Sequence, residues 1–100
     1  MTTFIGSYDG FTVKGHCTND VEDELGRLVC ASVSSAVYMV VNTITDIVGD
    51  KADVVEKDGM MAVRLLSVSE KSKVILEGLS LHLQQLSKQY PSCIKVISEV

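Results

Sequence analysis

The chain has 100 residues and a formal net charge of −4, and 46% of its residues are hydrophobic although only 5% are aromatic. A chain of this length is expected to fold as one domain over residues 1–100, with a core built from aliphatic side chains. No Lys/Arg stretch is dense enough to follow a phosphate backbone, so we expect no direct nucleic-acid binding, and the acidic balance instead favours a basic protein or peptide partner.

The first predicted element is a β-hairpin over residues 4–16. Its centre is the Asp-Gly dipeptide at 9–10, which is typical of the tight two-residue turn that matches strand twist. The strand after this turn alternates apolar and polar residues. If the strand is regular, His16 shares a face with Thr12 and Lys14, away from the aliphatic core.

Residues 17–26 form a polar loop, which is long for so small a domain and is therefore a candidate functional segment. Residues 27–48 then predict a helix with apolar residues on most of its surface, which indicates burial on more than one side. The main apolar stripe consists of Val29, Val33, Ala36, Val37, Val40, Ile44 and Ile47.

The second half of the chain repeats the order of hairpin and helix. A second hairpin is predicted over residues 51–66, turning at 58–59, and a second helix over 70–90, with Ser67 or Ser69 as its N-terminal cap. Residues 93–97 predict a last strand. The order ββαββαβ indicates an α+β fold with two helices and a mostly antiparallel sheet of about five strands.

Cys30 falls in the first turn of the predicted helix, where unsatisfied backbone N–H groups and the helix dipole stabilise a thiolate and offer donors to an oxyanion. His16 ends the preceding strand and can meet Cys30 across the loop, as a Cys–His pair requires. On these residues alone two other interpretations stay open: Cys30 packs as a small hydrophobe, or His16 is an ordinary surface residue.

The other cysteines, Cys17 and Cys93, complete an odd number with no metal-type spacing, so we expect no metal and no cofactor. We expect Cys93 to lie in the core and His82 to be a surface or half-buried residue without a catalytic role. The N-terminus lacks the charged segment and apolar run of a secretory signal, and polar residues interrupt the most apolar stretch, so a cytoplasmic location is expected.

The run Gly15-His16, followed by Gly26-Arg27-Leu28-Val29-Cys30-Ala31-Ser32-Val33-Ser34, resembles the Prp family of ribosomal-processing cysteine proteases. Members of that family have Gly-His at a strand end, a flexible loop and a Val-Cys-Ala-Ala-Val-Ser helix start. The resemblance extends to the chain length and to the order of the elements. Of the two motifs, Cys-Ala-x-Val-Ser is the more specific.

The resemblance implies a cysteine endopeptidase that removes a short N-terminal extension from a large-subunit ribosomal protein. It implies that His16 and Cys30 are the catalytic pair, and that Ser34, one turn after the nucleophile, positions the substrate. Without the family, Ser34 is equally well read as a helix serine bonded to a carbonyl of the preceding turn. The resemblance also implies a homodimer and a loop over 17–26 that opens for substrate.

The chain departs from the family pattern at two places. The acidic residue expected three positions before the nucleophile is Arg27 here, and the loop is about two residues longer, with Cys17 in place of a small apolar residue. Asp23 or Glu24 can take over the role of the missing acid. Two further functions therefore stay open: a non-catalytic binding module for a ribosomal or other basic protein, and a redox sensor that uses Cys17 and Cys30.

Overall fold

The computed structural model describes residues 1–15 and 24–98 and confirms the predicted order of elements. The strands are β1 (Thr2–Ser7), β2 (Gly10–Lys14), β3 (Ala52–Lys57), β4 (Met60–Leu65) and β5 (Ile94–Ser98). The helices are α1 (Glu24–Asn42), which continues as a π-helical segment over Thr43–Val48, and α2 (Glu70–Gln89). The fold is α+β, as expected.

The five strands form one sheet in the order β3-β4-β2-β1-β5. Both hairpins pair antiparallel, and β2 pairs antiparallel with β4. Among the described strands, β5 and β1 are the one parallel pair, since α2 carries the chain back over the sheet before β5 starts beside Thr2. The mostly antiparallel sheet is therefore confirmed.

Both helices lie on the same face of the sheet, and the core fills the space between them and this inner face. The core is mainly aliphatic, and its two aromatic rings, Phe4 and Phe11, stack with centroids 5.5 Å apart. The buried apolar side chains of the strands are Phe4, Phe11, Val13, Met61, Val63, Leu65 and Ile94. The opposite, outer face of the sheet has no helix over it among the described residues.

The helical stretch Glu24–Val48 is long and apolar enough to cross a membrane by length and composition, with a mean hydropathy of 1.6 and one third of the window buried. A core helix meets the same criterion. Here the stretch packs on the sheet through Val33, Val37 and Val40. We therefore interpret it as the central helix of the domain.

The N-terminus of α2 is capped by Ser69, one of the two predicted candidates. The Ser69 hydroxyl accepts a hydrogen bond from the N–H of Ser72 at 3.2 Å and donates one to a carboxylate oxygen of Asp50 at 2.6 Å. The N–H of Ser69 also donates to Asp50, at 3.2 Å. Since these bonds favour the ionised carboxylate, they lower the pKa of Asp50, with the Ser69 hydroxyl as the main cause.

We expect this cap to make stability depend on acid pH. The folded-state pKa of Asp50 lies below the unfolded value of 3.8, so the carboxylate stabilises the fold above about pH 4 and ceases to do so as pH falls through the lowered pKa. Asp50→Asn should therefore lower the thermal midpoint most at pH 7, and the difference from the natural chain should shrink towards pH 3. Asp53→Asn, at an exposed position of β3, is the control. An Asp50→Asn effect that is the same at both pH values would contradict this role.

Candidate active site

The backbone around Gly15, at the end of β2, is fixed by two neighbouring segments. The N–H of Gly15 donates to the carbonyl of Gly59, in the β3–β4 turn, at 2.8 Å. Gly15 has a φ of +78°, and a Cβ atom there would lie 2.6 Å from the carbonyl oxygen of Met1, so only glycine fits. The predicted base, His16, is the next residue. It lies outside the described residues, so its pairing with Cys30 stays a prediction.

Cys30 is placed on the buried face of α1, with 2% of its surface exposed. The sequence predicted that the helix starts at Arg27 with Cys30 in the first turn, and this was wrong. The structure describes the helix from Glu24, which makes Cys30 its seventh residue and places it in the second turn. Gly26, read as the end of the loop, is a buried residue of the helix.

This shift changes the chemistry that the helix offers at Cys30. The N–H groups without an intrahelical partner belong to the first turn, and the dipole effect is strongest there. In a regular helix the N–H of the seventh residue bonds to the carbonyl four residues earlier. The amide of Cys30 is therefore not a donor for an oxyanion, and any thiolate stabilisation by the helix acts from one turn away.

The two described cysteines differ in oxidation state. Cys30 is disulfide-bonded, whereas Cys93 is a free thiol. Cys93 is half-buried and packs against the core, as expected, and its carbonyl accepts the N–H of Thr2 at 2.9 Å. Cys17, which the redox-sensor alternative pairs with Cys30, lies outside the described residues. A sulfur in a disulfide is not a nucleophile, so the structure holds Cys30 in a state that must be reduced before it can attack a carbonyl.

Ser34 lies one turn after Cys30 on the same side of α1 and is half-buried. The bond back to the preceding turn that we considered for Ser34 is made instead by Ser32, whose hydroxyl donates to the carbonyl of Leu28 at 2.9 Å. Within residues 1–15 and 24–98, the Ser34 hydroxyl has no hydrogen-bond partner. It is thus available to a molecule bound beside Cys30.

The charged residues near the start of α1 point to solvent. Glu24 and Arg27 are both exposed in the first turn. Glu24 is favourable there because the helix dipole attracts an anion, and Arg27 is not. Asp23, the other candidate for the missing acid, lies outside the described residues.

His82 is exposed on α2, as predicted, and lines a groove with Ala36 and Met39 of α1. Cys30 does not line this groove, so we assign His82 no catalytic role. The described part of the chain contains no group of three His, Cys, Asp or Glu side chains that could hold a metal ion.

The family model described as "Cysteine protease Prp" matches residues 1–95. The fold is similar to that of the essential ribosomal processing protease Prp from S. aureus, solved with a covalently linked product peptide (20% identity, TM-score 0.85) and with a substrate peptide (19%, 0.89). Each alignment covers 99% of this chain and 100% of the other. A crystal structure from Streptococcus mutans is 22% identical, with a TM-score of 0.72 over 98% of this chain and 93% of the other. No curated protein sequence matches the chain significantly.

Because Cys30 is disulfide-bonded, we expect thiol chemistry at this residue to require a reductant. Protein purified without reductant should show no labelling of Cys30 by iodoacetamide in peptide mass spectra, whereas Cys93 should label slowly in proportion to its partial exposure. Prior treatment with dithiothreitol should make Cys30 reactive. Labelling of Cys30 that is equal with and without reductant would contradict the expectation.

Proposed function

The chain belongs to the Prp family of cysteine proteases, and on that premise we propose that it removes the N-terminal extension of a large-subunit ribosomal protein. The observation that carries this proposal is the family match over residues 1–95, which includes Cys30 and the Gly15-His16 pair. The S. aureus structures with product and substrate peptides support a peptide substrate in this fold. A chain of net charge −4 suits a basic ribosomal-protein tail.

In the proposed reaction His16 takes the proton of the reduced Cys30 thiol, and the thiolate attacks the carbonyl of the scissile peptide bond. The C–N bond breaks, and His16 returns the proton to the leaving amine. Water then attacks the thioester, which frees the carboxylate of the extension and restores the thiol. Ser34 positions the peptide with its hydroxyl beside the sulfur. We place this activity in the cytoplasm, where thiols are kept reduced.

Cys30→Ala should abolish cleavage of a recombinant ribosomal protein that carries its N-terminal extension. We expect a loss of roughly 10⁴-fold or more in kcat, since the nucleophile is removed. Cys93→Ala, which removes the free thiol at the β5 side of the molecule, is the matched control and should cleave at the rate of the natural chain. Mass spectrometry of the reduced protein with substrate measures the cut, and circular dichroism verifies the fold of each variant. Full activity of Cys30→Ala would refute the assignment.

Arg27 provides the test between a protease and a non-catalytic binding module. The exposed position of Arg27 in the first turn of α1 accepts an acid without a steric cost, and an acid there is favourable with the helix dipole. Arg27→Asp should raise kcat if the family's acid assists catalysis. If neither the reduced natural chain nor Arg27→Asp cleaves while both bind the extension, the binding-module alternative replaces the proposal.

We also propose a homodimer in which the two helical layers face each other. The surface that supports this is the helix groove, an apolar groove of about 280 Å³ between α1 and α2. Its lining consists of Ala36, Met39, Val40, Thr43, Ile75, Gly78, Leu79 and His82. Met39, in this lining, is 65% exposed, and the helical segments also leave Ile47, Val74 and Leu81 more than half exposed. An apolar patch of this kind is typical of a surface that a second copy covers.

Met39→Lys should therefore shift the protein towards monomer, because it places a charge in the centre of the helix groove. Ser67→Lys, at an exposed loop position, adds the same charge elsewhere and should leave the dimer intact. Light scattering after size exclusion, over a hundredfold range of protein concentration, measures the mass. A natural chain that is monomeric throughout, or equal effects of the two variants, would refute the proposed interface.

A further inference from the structure

The outer face of the sheet, opposite the helices, carries side chains that the strand register arranges in rows across the strands. Because side chains alternate between the two faces of a strand, the residues flanking each core position point outwards. Two of these rows extend over all five strands, and their composition is not that of an ordinary solvated sheet face.

The first row, which we call the lysine row, lies at the end of the sheet near Gly15. The pairings place Lys57 opposite Met60, Met60 opposite Lys14, Lys14 opposite Thr3, and Thr3 opposite Lys95. The three lysines are exposed and occur on alternate strands, about 10 Å apart. None of them forms an ion pair with a described residue.

The second row, which we call the apolar row, lies directly beside the first. It consists of Val55, Ala62, Thr12, Ile5 and Ile97 in order across the sheet. Val55 and Ile97 are 46% and 37% exposed. The small side chains of Ala62 and Thr12 lie between larger ones, and together they line part of a shallow depression of about 380 Å³. A bulky apolar side chain from outside fits over this point.

The third row carries charges of both signs. Arg64, opposite Asp53 in the sheet, forms an ion pair with Asp9 at 3.5 Å. The outer face thus has charges of both signs at one end of its strands, an apolar row in the middle and the lysine row at the other end. These three lysines, which form no ion pair with a described residue, are a local positive charge on a chain of net charge −4.

We propose that the outer face of the sheet is a docking surface for an acidic amphipathic helix of another protein, lying across the strands. Its apolar side chains contact the apolar row, and its carboxylates meet the lysine row. The two outermost strands are about 19 Å apart, which is the length of about 13 helical residues. The two rows contain no aromatic side chain on which bases stack, which favours a protein segment over a single-stranded nucleic acid.

The charge of this partner distinguishes the surface from the proposed substrate site. The overall net charge of −4 repels an acidic peptide and attracts a basic one, so binding of an acidic helix must come from the local lysines. The proposal is therefore independent of the proteolytic function. Loss of cleavage in Cys30→Ala and loss of docking in lysine variants are separate outcomes.

The test uses a fluorescently labelled helical peptide of about 14 residues with a leucine stripe flanked by glutamates. A second peptide has lysine in place of every glutamate, and a third keeps the glutamates but replaces the leucines with serine. Fluorescence anisotropy measures Kd for each with the reduced protein. We expect the leucine–glutamate peptide to bind at least about tenfold more tightly than either of the others.

Protein variants locate the binding site. Lys57→Glu with Lys95→Glu should weaken binding of the leucine–glutamate peptide by about tenfold or more. Lys71→Glu with Lys73→Glu, on exposed positions of α2, changes the net charge equally and should weaken it by less than about threefold. Ile97→Ser, which leaves the charge unchanged, should weaken it as well because the apolar row is interrupted.

Three results would overturn the proposal. The first is equal loss of affinity in the two double variants, which indicates only net charge. The second is a basic peptide that binds as tightly as the acidic one. The third is tighter binding, with the same dependence on Lys57 and Lys95, of single-stranded RNA or of vesicles containing phosphatidylserine, which would assign the lysine row to phosphate groups instead.

Discussion

Packing of the valine face of α1 against the inner face of the sheet is the interaction on which the rest of the structure depends. Val33, Val37 and Val40 are almost fully buried in the same cluster as Val63 and the other inward-facing strand residues. β-Branched residues are poor helix formers by themselves, so tertiary burial stabilises this helix. Cys30, on the same helix, is buried as well.

The position of the candidate site is also constrained by backbone contacts. The bond from Gly15 to Gly59 ties the end of β2 to the turn of the second hairpin. The carbonyl oxygen of Met1 lies so close to Gly15 that a Cβ atom at this position would clash with it. These contacts determine where the chain leaves the sheet just before His16. They involve main-chain atoms, so glycine and turn geometry matter here more than side-chain chemistry.

The three surfaces of the domain have different chemistry, and each follows from the two-layer architecture. The inner face of the sheet is covered by the two helices and is part of the core. The helical layer leaves Met39 exposed in an apolar groove, whereas the outer sheet face places lysines that pair with no described residue beside an apolar row. The helices that the structure describes both pack on one face of the sheet, so within the described residues the other face meets solvent or a partner.

The sequence by itself determined the order of the elements, because hydrophobic periodicity and the two Asp-Gly turns are local signals. A short motif also made Cys30 and Gly15-His16 the candidate site, and the pairing of His16 with Cys30 stays a prediction. The sequence misplaced the start of α1 because Gly26 resembles a loop glycine, and only the tertiary structure shows that this residue is buried against its neighbours. The strand order, the capping of α2 by Ser69 with Asp50, and the rows on the outer face were likewise decided by the tertiary structure. Each depends on residues far apart in the chain that meet only after the sheet has formed.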